Sequence, residues 1–245
     1  MSTVFWHGTT GVPGGWGRSV VALGVFDGLH RGHQRVLENA VRLGRERGAP
    51  VVLTTFDPHP ATIAGRPRDT RPVATLEHRA ELARSHGADE VLVLSFTECL
   101  ARTSAEDFVA EVLMRTLHAT AVVTGSNFRF GHRGAGDTAL LRKLGPACGF
   151  TAHAVDLLPG CSSTLVRTLV TTGDLVGAAA VLGRPHRVHG TVEGEIFTPC
   201  TTLLPPPGKY WAHTPYGERT VAVEAGLLIA DLPDGPTAVD LVGTR

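Results

Sequence analysis

From residue 19 to residue 183, short apolar runs alternate with stretches whose apolar residues recur at helical spacing, and this rhythm leaves few architectures open. Residues 19–26 (SVVALGVF) read as a buried strand ended by Asp27-Gly28, a turn signal. Residues 33–47 follow, with Val36, Leu37, Ala40, Val41 and Leu43 on one helical face. The same reasoning predicts strands at 51–56, 90–95, 121–124 and 151–155. It predicts helices at 76–85, from Ser104 to about 117, at 137–144, and short ones from about 163 and 173. Ser104 stands three residues before Asp107, a spacing close to a capping box. Strands that alternate with helices form a parallel sheet covered on both faces. Sheets of this kind take their ligands at the carboxyl ends of the strands, so chemistry is to be sought there.

The texture changes after Gly183-Arg184-Pro185. Polar and apolar residues alternate over 187–192, 220–223 and 226–230, with turns at 205–208 and 233–235, which predicts short antiparallel strands. The fold class expected is α/β: a Rossmann-like parallel-sheet domain over 1–184, followed by a small antiparallel β domain over 185–245.

Composition narrows the function. Lys plus Arg is 23 and Asp plus Glu is 23, so nothing in the net charge favours nucleic acid or a membrane surface as partner. Cys99, Cys148, Cys161 and Cys200 are widely spaced and form neither a zinc knot nor a disulfide framework. The first 17 residues lack the basic-then-apolar pattern of a signal peptide, and no apolar run reaches membrane-spanning length, so a cytoplasmic protein is expected. Gly208-Lys209 lacks the glycine-rich approach and following Ser/Thr of a P-loop, and no G-x-G-x-x-G follows a strand.

The segment Gly24-Val-Phe-Asp-Gly-Leu-His-Arg-Gly-His33 leaves the first predicted strand and enters the first predicted helix. A helix start presents unpaired N–H groups and partial positive charge to a phosphate. His30 and His33 are three apart and face one ligand, and Gly32 lets a phosphate approach the backbone. Imidazoles donate hydrogen bonds and can be cationic near neutral pH, which suits a leaving pyrophosphate. Two histidines so spaced also suit a metal, but no third ligand stands nearby in the sequence. Ser162-Ser163-Thr164 places hydroxyls at another predicted helix start, with Arg167 one turn on, able to clamp a phosphate through its fork of donors. His59 lies between Pro58 and Pro60, which stiffen the chain after the second strand, and is placed against an acceptor.

Four motifs in order resemble those of the bacterial bifunctional riboflavin kinase/FMN adenylyltransferase (FAD synthetase) family, within the H-x-G-H nucleotidyltransferase superfamily. They are the decamer 24–33, Thr55-Phe-Asp-Pro-His-Pro60, Gly125-Ser-Asn-Phe-Arg-Phe-Gly131 with Gly136-Asp137, and Ser162-Ser-Thr-Leu-Val-Arg167. Gly173-Asp174 and Leu182-Gly-Arg-Pro185 resemble the approach to the family's kinase domain. The resemblance, over about residues 19–185, implies a transfer of AMP from ATP to the phosphate of FMN. It implies a catalytic set of His30, His33, Asn127, Ser163, Thr164 and Arg167. Gly24, Phe26, Asp27, Gly32 and Gly125 then line the nucleotide, and Asp57, His59 and Asn127 face the acceptor. Phe128 and Phe130 read as core. No acidic cluster suggests a metal cage of the protein's own, so Mg²⁺ is expected to arrive bound to ATP.

The C-terminal segment departs from the family. Where the kinase barrel carries P-T-A-N, this chain has Pro199-Cys200-Thr201-Thr202, and the sixty residues 186–245 are fewer than a whole kinase domain occupies. Loss of riboflavin kinase activity is expected, leaving a segment that covers the transferase site, shapes acceptor choice or mediates self-association into a homo-oligomer. Two alternatives stay open from the residues: an adenylyl- or cytidylyltransferase acting on another phosphorylated metabolite, and a nucleotide or flavin binder without catalysis.

Overall fold

The computed structural model describes residues 5–63, 65, 69–201 and 203–245. They group into two compact units, Met1–Thr70 with Arg79–Leu158, and Arg71–His78 with Pro159–Arg245. No helix among the described residues is long and apolar enough to cross a membrane.

The first unit is built on a six-stranded sheet of β1 (Trp6–His7), β2 (Ser19–Leu23), β3 (Val51–Asp57), β4 (Glu90–Ser95), β5 (Ala119–Gly125) and β6 (Thr151–Val155). The strand order is β1-β4-β3-β2-β5-β6 and every pairing is parallel. Its helices are α1 (Arg31–Arg47), α2 (Pro60–Ile63), α3 (Leu76–Ser85), α4 (Glu98–Arg102), α5 (Ala105–Phe108) and α6 (Thr138–Cys148), with α3 beginning in the second unit's segment. Val20, Val21, Ala22 and Leu23 are all at most 1% exposed, which a run of consecutive apolar residues needs when both faces of the sheet are covered. Val36, Leu37, Ala40 and Leu43 are the buried stripe of α1, which packs on β2 and β5. From β2 the chain winds outward through β3 to β4, then returns to the other side of β2 for β5 and β6. The windings diverge between β2 and β5, the place where doubly wound sheets open a crevice for a ligand.

Several elements differ from the sequence reading. The strand expected over 19–26 ends at Leu23, because Phe26 turns into the left-handed region (φ 50°). Helix α1 starts at Arg31, two residues early, because His30 caps it. Ser104 does cap its helix, accepting from the Asp107 N–H at 2.9 Å, but after α5 the expected helix continues as a π-helix, Val109–Thr116. There the Thr116 hydroxyl donates to the Glu111 carbonyl, five residues back. Helix α6 runs on to Cys148 with Pro146 inside it, and Gly149 (φ 79°) ends it.

The second unit holds α7 (Ser163–Thr171), α8 (Leu175–Leu182) and six antiparallel strands: β7 (His186–Glu193), β8 (Ile196–Pro199), β9 (Gly208–Thr214), β10 (Gly217–Glu224), β11 (Leu227–Ile229) and β12 (Gly235–Thr244). They close into a barrel in the order β10-β11-β8-β7-β12-β9. Alternate residues point inward: Val188, Val192, Phe197, Ala212, Val221, Val223, Leu228, Val239 and Leu241 are at most 2% exposed. Gly190 is required where β7 passes β8, since a Cβ there would collide with the Thr198 carbonyl and the Phe197 ring.

Residues 71–78 belong to this second unit by their contacts. Val73 is 3% exposed in its core, and the Arg167 Nε donates to the Arg71 carbonyl at 2.7 Å. His78, 4% exposed, packs its ring 4.9 Å from that of His189. Burial, followed by the charges of Arg184, His189 and Arg187 and opposed by Asp240, lowers the His78 pKa to about 3 from its ordinary 6.5. The folded state therefore keeps His78 neutral, whereas the unfolded chain protonates it near 6.5. Its contribution to stability is present above that pH and is lost as pH falls toward 3. Between pH 7 and pH 5 we expect this ring alone to cost about 2 kcal/mol, read as the difference in pH dependence between wild type and His78→Leu in urea unfolding. Equal pH dependence in the two proteins would contradict it.

Candidate active site

The chain leaves β2 through a strained turn. The Gly24 N–H still donates to the Thr54 carbonyl (3.2 Å), after which Phe26 (φ 50°), Gly28 (φ 73°) and Leu29 (φ 40°) all take left-handed conformations. Such conformations are disfavoured for side-chain-bearing residues and persist only where surroundings enforce them. The buried Phe26 ring lies over Gly24, where a Cβ would come within 3.2 Å of it. His30, 6% exposed, then caps α1, its Nδ1 accepting from the His33 N–H at 3.3 Å. A ring nitrogen that accepts carries no hydrogen, which leaves the His30 proton on Nε2.

His33 stacks on His30 with ring centroids 3.6 Å apart and planes 18° apart, and Phe26 meets it edge-on at 5.3 Å. Burial, then the charges of His30 and Arg79, hold the His33 pKa well below the ordinary imidazole value. Of the two forms an imidazole can take near neutral pH, this favours the neutral one for His33, with one N–H to donate. Its Nδ1 is buried and meets no hydrogen-bond partner among the described residues.

Beneath the histidines lies a buried ion pair. Asp27 is 2% exposed and its Oδ1 is 3.5 Å from the Arg79 Nη2. The Arg79 Nη1 reaches the Thr55 Oγ1 (3.1 Å) and the carbonyls of Val25 (3.3 Å) and Phe56 (3.4 Å). Sequence reasoning passed over Arg79. A signal was there: it shares a helical stripe with Leu76, Ala80 and Ala83, so a charge falls on the apolar side of α3.

The neighbouring strands bring further segments to the same edge of the sheet. Ala22 pairs with Val123, so the chain leaves β2 beside the end of β5. Gly125 is half-buried and Asn127 exposed, its Oδ1 3.4 Å from where a Gly125 Cβ would stand. Phe130 is buried in the core with Phe128 stacked on it at 6.0 Å, as expected of both. Asp137 caps α6 and pairs with Arg129 at 3.1 Å. On the other side of β2, β3 ends at exposed Asp57, followed by a cis Asp57–Pro58 bond and half-buried His59, whose Nδ1 accepts from the Ala61 N–H at 3.1 Å.

The structure thus gathers Gly24, Phe26, Asp27, His30, Gly32, His33, Asp57, His59, Gly125 and Asn127 at the carboxyl ends of β2, β3 and β5. Gly24, Phe26 and Asp27 are buried there, Asp27 facing Arg79. Ser163, Thr164 and Arg167 lie on α7 in the second unit. Ser162 caps α7, accepting from the Leu165 N–H at 3.1 Å, while Ser163 is half-buried and Thr164 exposed. Arg167 is 2% exposed and spends its Nε on the Arg71 carbonyl. Among the described residues no three His, Cys, Asp or Glu side chains converge as a metal site. A cavity of about 360 Å³ lies elsewhere in the first unit, lined in part by Thr9, Trp16, Arg115 and His118.

Comparison with known proteins gives three results. Residues 14–167 match the family model described as FAD synthetase. Curated relatives named bifunctional riboflavin kinase/FMN adenylyltransferase include that of Listeria monocytogenes, 34% identical over 178 residues, with 71% of this chain and 56% of the relative covered. That of Escherichia coli K12 is 30% identical over 177 residues, with 71% and 56% covered. The chain therefore spans a little over half the length of the curated relatives it matches. A crystal structure described as a macrolide-efflux protein from Streptococcus pneumoniae is similar in fold, with a TM-score of 0.82 at 19% identity over 99% of this chain and 91% of that one.

Proposed function

The chain belongs to the FAD synthetase family, and on that premise we propose that it transfers AMP from ATP to the phosphate of FMN, giving FAD and pyrophosphate. The observation that carries the reading is the stacked His30–His33 pair at the start of α1, at the carboxyl end of β2 and beside β5. In the reaction a phosphate oxygen of FMN attacks the α-phosphorus of ATP in line. One P–O bond forms, the bond to the bridging oxygen breaks, and pyrophosphate leaves with that electron pair. The attacking group is already an anion, so no side chain need remove a proton.

The protein supplies position and donors. The His30 Nε2–H, the His33 N–H and the free N–H groups at the start of α1 stabilise charge that grows on the departing pyrophosphate. A neutral His33 suits this task, since donation survives at every pH above its lowered pKa. Asn127 is assigned to phosphate or acceptor, Asp57 and His59 to the acceptor, and the hydroxyls of Ser163 and Thr164 to phosphate. Mg²⁺ enters as part of the nucleotide substrate. Riboflavin kinase activity is proposed to be absent: Cys200 stands in place of the Thr of P-T-A-N, and Thr202, in place of its Asn, lies outside the described residues.

The test is to incubate the purified chain with Mg-ATP and FMN and to follow FAD and pyrophosphate together. Equal amounts of both are expected. Pyrophosphate released only with CTP, or only with another phosphorylated acceptor, would replace FMN adenylylation by a related transfer. No release with any acceptor would end the transferase reading. Riboflavin with Mg-ATP is expected to give no FMN, and its phosphorylation would overturn the proposed loss.

A further inference from the structure

The turn that presents the two histidines is strained. Phe26 and Leu29 carry side chains yet sit at φ 50° and 40°, conformations that chain sterics oppose. The fastening comes from below. The Arg79 guanidinium, 5% exposed, is wedged between the end of β3 and this turn, with Thr55 and Phe56 on one side and Val25 and Asp27 on the other. The Thr55 hydroxyl closes the set by donating to the Val25 carbonyl at 2.6 Å. A buried ion pair is a poor source of stability, because desolvation of both charges offsets their attraction. What a planar fork of donors supplies is fixed direction.

We propose that Arg79 is a positioning residue for the AMP transfer: through Asp27 and the carbonyls of Val25 and Phe56 it fixes the strained turn, and so holds His30 and His33 stacked at the start of α1. This inference rests on the reading of the chain as an FMN adenylyltransferase. Arg79 reaches Asp27, Thr55 and the carbonyls of Val25 and Phe56. Its charge also acts on His33, adding to burial and His30 in keeping that ring neutral. Two consequences separate positioning from mere support of the fold. Turnover falls while ATP affinity changes little, and the ionisation of His33 moves.

The full chain is compared as wild type, Arg79→Met and Arg79→Lys. Arg79→Met keeps an unbranched apolar stem and removes the fork. It is expected to lower kcat by about 10²-fold, the scale on which small misplacements of reacting groups act, with KM for Mg-ATP within a few-fold of wild type. Arg79→Lys restores the charge without the fork and is expected to recover part of the loss. Proton–carbon NMR of histidine-labelled protein, without substrate, is expected to show the His33 ring titrating at higher pH in Arg79→Met than in wild type, and nearer to wild type in Arg79→Lys. A folded Arg79→Met with kcat within about twofold of wild type, or with an unmoved His33 titration, overturns the proposal. Should Arg79→Met fail to fold, Asp27→Asn weakens the same tether at nearly constant shape, a neutral amide oxygen replacing the charged acceptor of Arg79. It is expected to lower kcat comparably, and a change of twofold or less overturns the proposal. A wild-type chain that makes no FAD refutes the adenylyltransferase reading instead, and the substrate-free titration then still decides whether Arg79 governs His33.

Discussion

Alanine at His30 or His33 is expected to lower turnover of the transfer by about 10²-fold or more, the usual loss for one preorganised donor to a developing oxyanion. The two substitutions are not equivalent. His30→Ala removes the Nε2–H donor and also the cap of α1, since the His30 Nδ1 accepts from the His33 N–H. Loss of a cap costs about 1 kcal/mol of stability. His30→Asn restores an acceptor for that N–H, because Asn is among the favoured cap residues, but it moves the donor. Stability should therefore recover in His30→Asn while turnover stays low. His33→Ala leaves the cap in place and removes a ring that stacks on His30 and meets Phe26. Steady-state rates of FAD formation at varied Mg-ATP, with urea unfolding of each variant, check both halves of the argument. Turnover within a few-fold of wild type in either alanine variant would count heavily against the mechanism.

Phe197→Ala is expected to cost about 3–5 kcal/mol, the range for deleting a fully buried aromatic ring. Phe197 is 0% exposed inside the barrel and pairs with Val192 on β7 and Leu228 on β11. Its ring also fills the space over Gly190 that a Cβ would need. The neighbours are held by the closed ladder of hydrogen bonds, so they cannot collapse into the vacated volume, which places the loss at the upper end. Because domains are stable by only about 5–15 kcal/mol, this single change removes much of the margin. Urea unfolding followed by circular dichroism reads it, with Phe197→Leu expected to lose less. A loss under about 1 kcal/mol would mean that the ring is not in a packed interior.

How much was legible in the sequence depended on what each residue reports. Strands β4 and β6 and helix α3 fall at the bounds read from the spacing of their apolar residues. Strand β2 does not. Val25 and Phe26 continue the apolar run but pack from a turn, and hydropathy says nothing about φ. In the second unit, alternation along β7 announced a half-buried strand, yet closure into a barrel depends on pairings such as β12 with β9, which no single strand encodes. The segments 24–33, 57–59 and 125–127 stood out because they pair polar residues with strand ends, and the parallel order sets them at one edge. The neutral state of His33 was out of reach, since it arises from burial and from Arg79, forty-six positions away.

Residues 71–78 lie in the middle of the first unit's sequence, yet Val73 is part of the other unit's core. The polypeptide thus changes allegiance three times, after Thr70, His78 and Leu158. Neither half is a portable module that one cut could release. A fragment stopped at Leu158 would carry an apolar strip with nothing to cover it, and one begun at Pro159 would have a notch where Val73 belongs. Dissection by truncation would therefore report damage to both halves, and the division of labour along this polypeptide is better sought by point substitution in the intact molecule.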